Sequence, residues 1–403
     1  MIPFSPPHID QKIIDEVTKV LQSGWITTGP RTKQFEKELT TYCGNKATLC
    51  LNSATAGLEI MLRWYGVKEG DEVILPAYTY SATANVVMHC GAKPVFVDVN
   101  EHDFNININA IEKAITLKTK VIMPVDFAGV PCDYAKLNEL VKKHSTAFKA
   151  HTKEQETLGR ILVLSDSAHS FGAWYNHKRA GSLTDVSVFS FHAVKNLTTS
   201  EGGSVALNLP APFDNEQIYK DLCIKTLHGQ NKDALAKMQK GNWRYDIVEA
   251  GYKCNMTDIA AAIGQIELSR YDSTTLPKRR QICEKYSQAF SNYSWAQLPF
   301  LKSNEIEGCY HLYPLRIKGI TEIQRDAIIK EIFDQDVSVN VHFIPVPMMS
   351  FYKGLGYDIN NYPTTLDNYS REISLPIFFD LTDEMIDKVI SAVVKSVEKN
   401  VNS

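Results

Sequence analysis

No two of the eight cysteines in this 403-residue chain form a C-x-x-C pair, and none stands at a metal-ligand spacing. Cysteines scattered in this way (43, 50, 90, 132, 223, 254, 283, 309) fit reduced, largely buried thiols of a cytoplasmic protein. They argue against a disulfide framework or a zinc site, and no metal is expected. Neither sign of charge is in excess: 43 Lys+Arg against 46 Asp+Glu leave a net charge of −3. A near-neutral chain of this size offers no electrostatic footprint for nucleic acid. No apolar run approaches the length of a membrane span. The opening residues, Met1 to Pro7, lack a basic segment followed by a long apolar one, so no signal peptide is expected. Internal repeats and low-complexity segments are also missing. With 44% hydrophobic and 22% charged residues, the chain has the composition of a soluble enzyme and the length for two domains.

What is present is an alternation of helices and apolar strands. Residues 9–23 and 32–42 read as amphipathic helices, separated by Gly24-Trp25-Ile26-Thr27-Thr28-Gly29-Pro30. Strands are expected at 47–51, 72–75, 94–98, 120–125 and 161–165, with helices opening near Ala54, Ser81, Ala110 and Tyr134. Apolar strands spaced by helices predict an α/β fold, a mostly parallel sheet covered on both faces. Residues 145–159 read as an inserted surface loop with room for a short helix. Past Leu209 the pattern turns helical (213–226, 258–269, 278–290), with a polar loop through Asp233. A large unit of residues 1–275 and a smaller α+β unit of 276–403 are expected. The latter has strands at 311–316 and 337–343 and helices at 322–333 and 382–397.

Two strand ends carry the chemistry. The run Val186-Ser187-Val188-Phe189 ends in Ser190-Phe191-His192-Ala193-Val194-Lys195. An ammonium at the end of a buried strand is costly unless it has a partner or has reacted. Schiff-base chemistry with a carbonyl cofactor such as pyridoxal phosphate (PLP) suits it. Upstream, Ile161-Leu162-Val163-Leu164-Ser165 ends in Asp166, followed by Ser167-Ala168-His169. In open α/β sheets ligands sit beyond the carboxyl ends of the strands. A carboxylate there is what a PLP ring nitrogen needs to stay protonated. Before the helix near Ala54, Asn52-Ser53-Ala54-Thr55-Ala56-Gly57 fits a phosphate turn, or equally an ordinary N-cap.

With these stretches in hand, the chain resembles the DegT-type PLP-dependent sugar aminotransferases, which have the aspartate aminotransferase fold (fold type I). The resemblance rests on GWITTGP (24–30), SATAG (53–57), PAYTYSAT (76–83), SDSAH (165–169), SFHAVKN (190–196), EGG (201–203), GYKCNMTD (251–258) and VHF (341–343). It looks closest to enzymes that aminate C-4 of UDP-linked keto sugars, such as UDP-4-amino-4-deoxy-L-arabinose aminotransferase. It implies a seven-stranded sheet, PLP as cofactor, L-glutamate and a UDP-linked keto sugar as substrates, and a homodimer with shared active sites. Lys195 would carry PLP and shuttle the proton, Asp166 would pair with the ring nitrogen, and His169 would stand near the ring. Tyr80 would stack on the cofactor, Thr55, Ala56 and Ser190 would bind its phosphate, and Asn255 would reach the phosphate in the other subunit. Trp25, Thr28 and His342 are expected at the sugar, although plain packing remains open for Trp25 and His342. Asp126 stands where the family usually has a histidine, and is expected either near the sugar or facing solvent. Three alternatives remain: C-3 amination of a dTDP sugar, a sugar dehydratase, and a non-catalytic regulator. Dehydratase relatives replace the lysine by histidine, and a regulator needs neither Lys195 nor Asp166.

Overall fold

Side chains along each central strand alternate between two apolar layers, which is why the strands read as continuous hydrophobic runs. In β2 (Glu72–Pro76), Val73 and Leu75 enter one cluster and Ile74 the other. Val121 and Ile122 of β4 (Thr119–Ile122) split the same way, as do Leu162 and Val163 of β5 (Leu162–Asp166). The computed structural model describes residues 1–232 and 243–401. The polar loop expected through Asp233 therefore ends on a residue outside those described.

The other strands of this half are β1 (Ala47–Leu51), β3 (Lys93–Val97), the two-residue β6 (Trp174–Tyr175) and β7 (Lys178–Arg179), β8 (Val186–Ser190) and β9 (Gly203–Leu207). Together with β2, β4 and β5, the strands β1, β3, β8 and β9 form one seven-stranded sheet in the order β1-β9-β8-β5-β4-β2-β3. Only β9 runs against the rest, pairing antiparallel with β1 and with β8. This is the seven-stranded, mostly parallel sheet that the resemblance implied.

The C-terminal half builds a second, antiparallel sheet from β10 (Ala296–Gln297), β12 (Tyr313–Ile317) and β13 (Glu372–Leu375). Its β11 (Ile306–Glu307) pairs instead with β6 of the first half. The helices Leu276–Phe290, Glu322–Asp334 and Asp383–Val401 contribute Ile282, Ile328 and Val393 to a core shared with β12 and β13. The start of the chain lies here too, bridging Ile2 to Val337. Among the described residues no helix is long and apolar enough to cross a membrane, and all eight cysteines are free, seven of them buried.

The expected strand at 337–343 does not form. The amide of Val341 donates to the side chain of Asn340, and that of His342 donates to Glu372, so donors that a ladder would use go to side chains. Only isolated bridges remain, at Val337 and Asn340. The 145–159 insertion is built of a 3-10 turn, Ser145–Ala147, and a helix, Lys153–Leu158. It is anchored where the buried Gln155 donates to the Tyr65 carbonyl at 2.9 Å.

Candidate active site

β5 and β8 are parallel neighbours, with Asp166 in register with Val188, so both strand-end motifs leave the sheet at the same edge. The Asp166 amide donates to the Pro124 carbonyl at 2.9 Å, and the Ser167 amide donates to Val188 at 2.9 Å. These bonds fix the end of β5 between its neighbours. After β8 the chain turns, closed by Lys195 N–H to His192 O at 2.9 Å and Phe191 N–H to Gly202 O at 2.9 Å.

A cavity of about 370 Å³ opens at this edge. Of the residues expected to form the site, Thr55, Tyr80, Asp166, His169, Ser190, Lys195 and His342 line it together. Ala56 stands one step back, its amide donating to Ser53 Oγ at 3.1 Å. Trp25, Thr28 and Asn255 form a separate cluster. Asn255 donates to the Thr28 hydroxyl, Thr28 donates to the Met256 carbonyl, and the Trp25 indole donates to the Thr28 carbonyl at 3.2 Å.

Burial dominates the electrostatics of the cavity. It pushes the Lys195 ammonium down to about 8, with Asp166 opposing the shift. It raises the Asp166 carboxyl, against hydrogen bonds from the Thr83 hydroxyl at 2.8 Å and the Ala168 amide at 3.2 Å. It holds His169 well below the ordinary imidazole range, hence neutral, with Lys195 adding to the effect. The His169 Nδ1 is buried without a hydrogen-bond partner.

These residues fit PLP. Among the described residues Asp166 accepts from two donors and forms no ion pair, though the charge of Lys195 is felt there; a protonated pyridine would give the buried carboxylate a direct cationic partner. A lysine with a lowered pKa is a ready amine for a carbonyl. A phosphate would find a cradle where the first turn of the helix Ala54–Trp64, capped by Ser53, meets the β8–β9 edge. A Cβ on Gly203 would lie 2.4 Å from the Ala54 nitrogen and 2.5 Å from the Ser53 carbonyl carbon. Only glycine lets the strand approach the helix start so closely.

Asp126 neither lines the cavity nor reaches solvent. Its carboxylate is fully buried and accepts from the Ser170 hydroxyl at 2.6 Å, the Tyr134 hydroxyl at 2.7 Å and the Cys132 amide at 2.9 Å. It ties the turn after β4 to the turn after β5, and burial raises its pKa.

Sequence reasoning missed Thr83, His311 and Phe4. Thr83 sits within the PAYTYSAT motif, one helical turn past Thr79, whose hydroxyl it meets at 2.8 Å. His311 lines the cavity with its ring 4.3 Å from that of His169. Phe4 lines the cavity and stacks on His342 at 5.4 Å, a contact that no local signal announces.

Known proteins share this fold across nearly the whole chain. A protein of Streptococcus pneumoniae described as a sugar aminotransferase, Spr1654, matches with a TM-score of 0.96 and 46% identity in its PMP-form. The match covers 99% of this chain and 100% of that one. The PLP-form of the same protein matches with a TM-score of 0.94 and 44% identity, over 99% of each chain. The Bacillus subtilis spore coat polysaccharide biosynthesis protein SpsC is 35% identical over 392 residues, 96% of this chain and 94% of SpsC. Helicobacter pylori PseC, an aminotransferase involved in the biosynthesis of pseudoaminic acid, matches with a TM-score of 0.86 and 28% identity, over 99% of each chain. Residues 7–394 match one family along their full extent, and the chain belongs to the DegT/DnrJ/EryC1/StrS aminotransferase family.

Proposed function

We propose that this sugar aminotransferase moves an amino group from L-glutamate to the C-4 keto carbon of a UDP-linked keto-deoxy sugar, for surface polysaccharide, lipid or glycan synthesis. The family is PLP-dependent. The observation that carries the reading is Lys195 at the cavity with Asp166 on the neighbouring strand.

Bound PLP supplies a carbonyl that condenses with amines and a ring that delocalises electrons. Lys195 would hold the cofactor covalently, and its Nζ, once free, would take up the proton of the donor's α-carbon. It returns a proton to the sugar carbon in the second half-reaction. Asp166, oriented by Thr83, would keep the pyridine nitrogen protonated. Neutral His169 would stand near the ring, and Tyr80, 62% exposed at the rim, would be the residue to stack on it. Thr55, Ser190 and the turn at Ala56 would hold the phosphate.

We take the protein to be cytoplasmic and a homodimer, in which Asn255 reaches the partner's phosphate while Trp25 and Thr28 border the sugar. Its own cavity lacks Asn255, which supports that placement. The division into units 1–275 and 276–403 belongs to the same reading, supported by the second sheet. Incubation with glutamate and a panel of UDP- and dTDP-linked keto sugars tests it. Amination of a UDP sugar at C-4 is expected. A product aminated at C-3, or formed only from dTDP sugars, overturns the substrate assignment and leaves the transaminase intact.

A further inference from the structure

Glu372 and Ser374 lie two residues apart on β13, so both side chains leave the same face of the strand. That face meets His342. The Ser374 hydroxyl donates to Glu372 Oε1, and its oxygen stands 2.9 Å from His342 Nδ1. Glu372 Oε2 accepts the His342 backbone amide at 3.0 Å. A hydroxyl has one proton. Ser374 spends it on Glu372 and therefore accepts from Nδ1, which must carry the hydrogen. With Nδ1 engaged, Nε2 is the ring nitrogen left for the cavity that His342 lines.

The ring is otherwise fixed by aromatic neighbours, with Phe4 stacked at 5.4 Å and Phe343 edge-on at 5.1 Å. Burial, with Lys195 adding to it, pushes His342 down to about 3, so it is a neutral imidazole. Glu372, Ser374, Arg316 and Arg325 are all buried; burial pushes the Glu372 carboxyl up to about 8, against the Ser374 hydroxyl, the His342 amide and the two guanidiniums, so above that pH Glu372 is ionised and accepts from Ser374.

We propose that Glu372 and Ser374 are positioning residues that lock His342 as the Nδ1–H tautomer, so that its bare Nε2 accepts a hydrogen bond from a hydroxyl of the sugar. This rests on the sugar aminotransferase reading. A nitrogen lone pair repels anions, so neither the α-carboxylate of the amino donor nor the diphosphate of a nucleotide is its ligand. The relay thus serves the sugar half-reaction alone.

Glu372→Gln gives the sharpest test, because the amide is nearly isosteric. The His342 amide still needs an acceptor, which turns the Gln oxygen toward it and the Gln NH₂ toward Ser374. Ser374 then donates to Nδ1, and the hydrogen of His342 moves to Nε2. Histidine ¹⁵N spectra of the holoenzyme, taken near pH 9 so that Glu372, pushed up to about 8, is ionised, read the tautomer directly. His342→Gln assigns the signal. Wild type should show Nδ1–H, and Glu372→Gln should show Nε2–H. The KM for the sugar should rise about tenfold in Glu372→Gln and in Ser374→Ala, with the glutamate half-reaction unchanged. Ser374→Ala keeps the test sharp if loss of a buried charge beside two arginines unfolds the first variant.

A wild-type Nε2–H signal, or an unmoved tautomer in folded Glu372→Gln, overturns the proposal. So does a rise in the KM for glutamate equal to that for the sugar. If wild type aminates no sugar at all, the substrate reading fails, while the ¹⁵N result still decides the relay.

Discussion

The hydroxyl of Thr83 lies 2.8 Å from Oδ2 of Asp166, and both residues are buried. This bond aims the carboxylate and offsets part of the burial that raises its pKa. Thr83→Val removes the donor with little change of shape. Cofactor retention is expected to fall about tenfold, read as bound cofactor per chain across a dilution series. Asp166→Asn should keep the cofactor through Lys195 and the phosphate contacts but slow the first half-reaction by orders of magnitude, because an unprotonated pyridine is a poor electron sink. Near-normal single-turnover rates in Asp166→Asn would mean that another group protonates the ring.

Lys195 sets a pH dependence whose sign follows from its pKa. Burial lowers that value to about 8, so the ε-amine is charged below it and neutral above it. Only the neutral amine adds to a carbonyl. Recombination of cofactor-free protein with PLP should therefore accelerate as pH rises toward about 8 and level off beyond. A rate that goes on rising through about pH 9 without levelling would show that the amine is not shifted. Lys195→Ala should remain folded while losing the visible absorbance of the bound cofactor and all turnover.

Gly203→Ala tests the phosphate cradle. The added methyl would stand 2.4 Å from the Ala54 nitrogen, 2.5 Å from the Ser53 carbonyl carbon and 2.8 Å from the Phe189 oxygen. All three are backbone atoms, so the helix start must shift, at a cost of about 1–3 kcal/mol. A lowered Tm and weakened cofactor binding are expected together. Gly354→Ala, whose methyl meets nothing within 4 Å, is the control and should change neither.

Asp166 and Lys195 were legible because each closes an apolar run within a few residues of chain. Parallel pairing of their strands then brings the two ends together, and a covered α/β sheet makes that pairing foreseeable. Thr83, His311 and Phe4 were not, because their partners at 166, 169 and 342 are fixed only by tertiary packing. Residues 337–343 show a period-two pattern of Val337, Val339, Val341 and Phe343 that resembles a strand. The side chains of Asn340 and Glu372 took the backbone donors instead, which no pattern of apolar residues reveals. Asp126 was recognisable as a strand-end carboxylate, but the residues it faces, Ser170 and Tyr134, decide that it braces the fold.

A site shared across a homodimer, as proposed, predicts complementation between inactive subunits. Lys195→Ala chains retain Asn255, and Asn255→Ala chains retain Lys195. Mixed under conditions of subunit exchange, they should regain activity, because some heterodimers then hold one fully native site. A mixture no more active than its two components, despite demonstrated exchange, contradicts a contribution of Asn255 across the dimer.

On the proposed reading, nitrogen leaves an amino acid and arrives on a nucleotide-linked keto sugar at the Lys195 cavity. Its most direct test supplies [¹⁵N]glutamate and a UDP-linked 4-keto sugar to the PLP-loaded protein and follows the label by mass spectrometry. The account predicts a ¹⁵N-bearing amino sugar from wild type and none from Lys195→Ala. Label that leaves glutamate and never enters a sugar, across the whole panel of nucleotide-linked keto sugars, would contradict it.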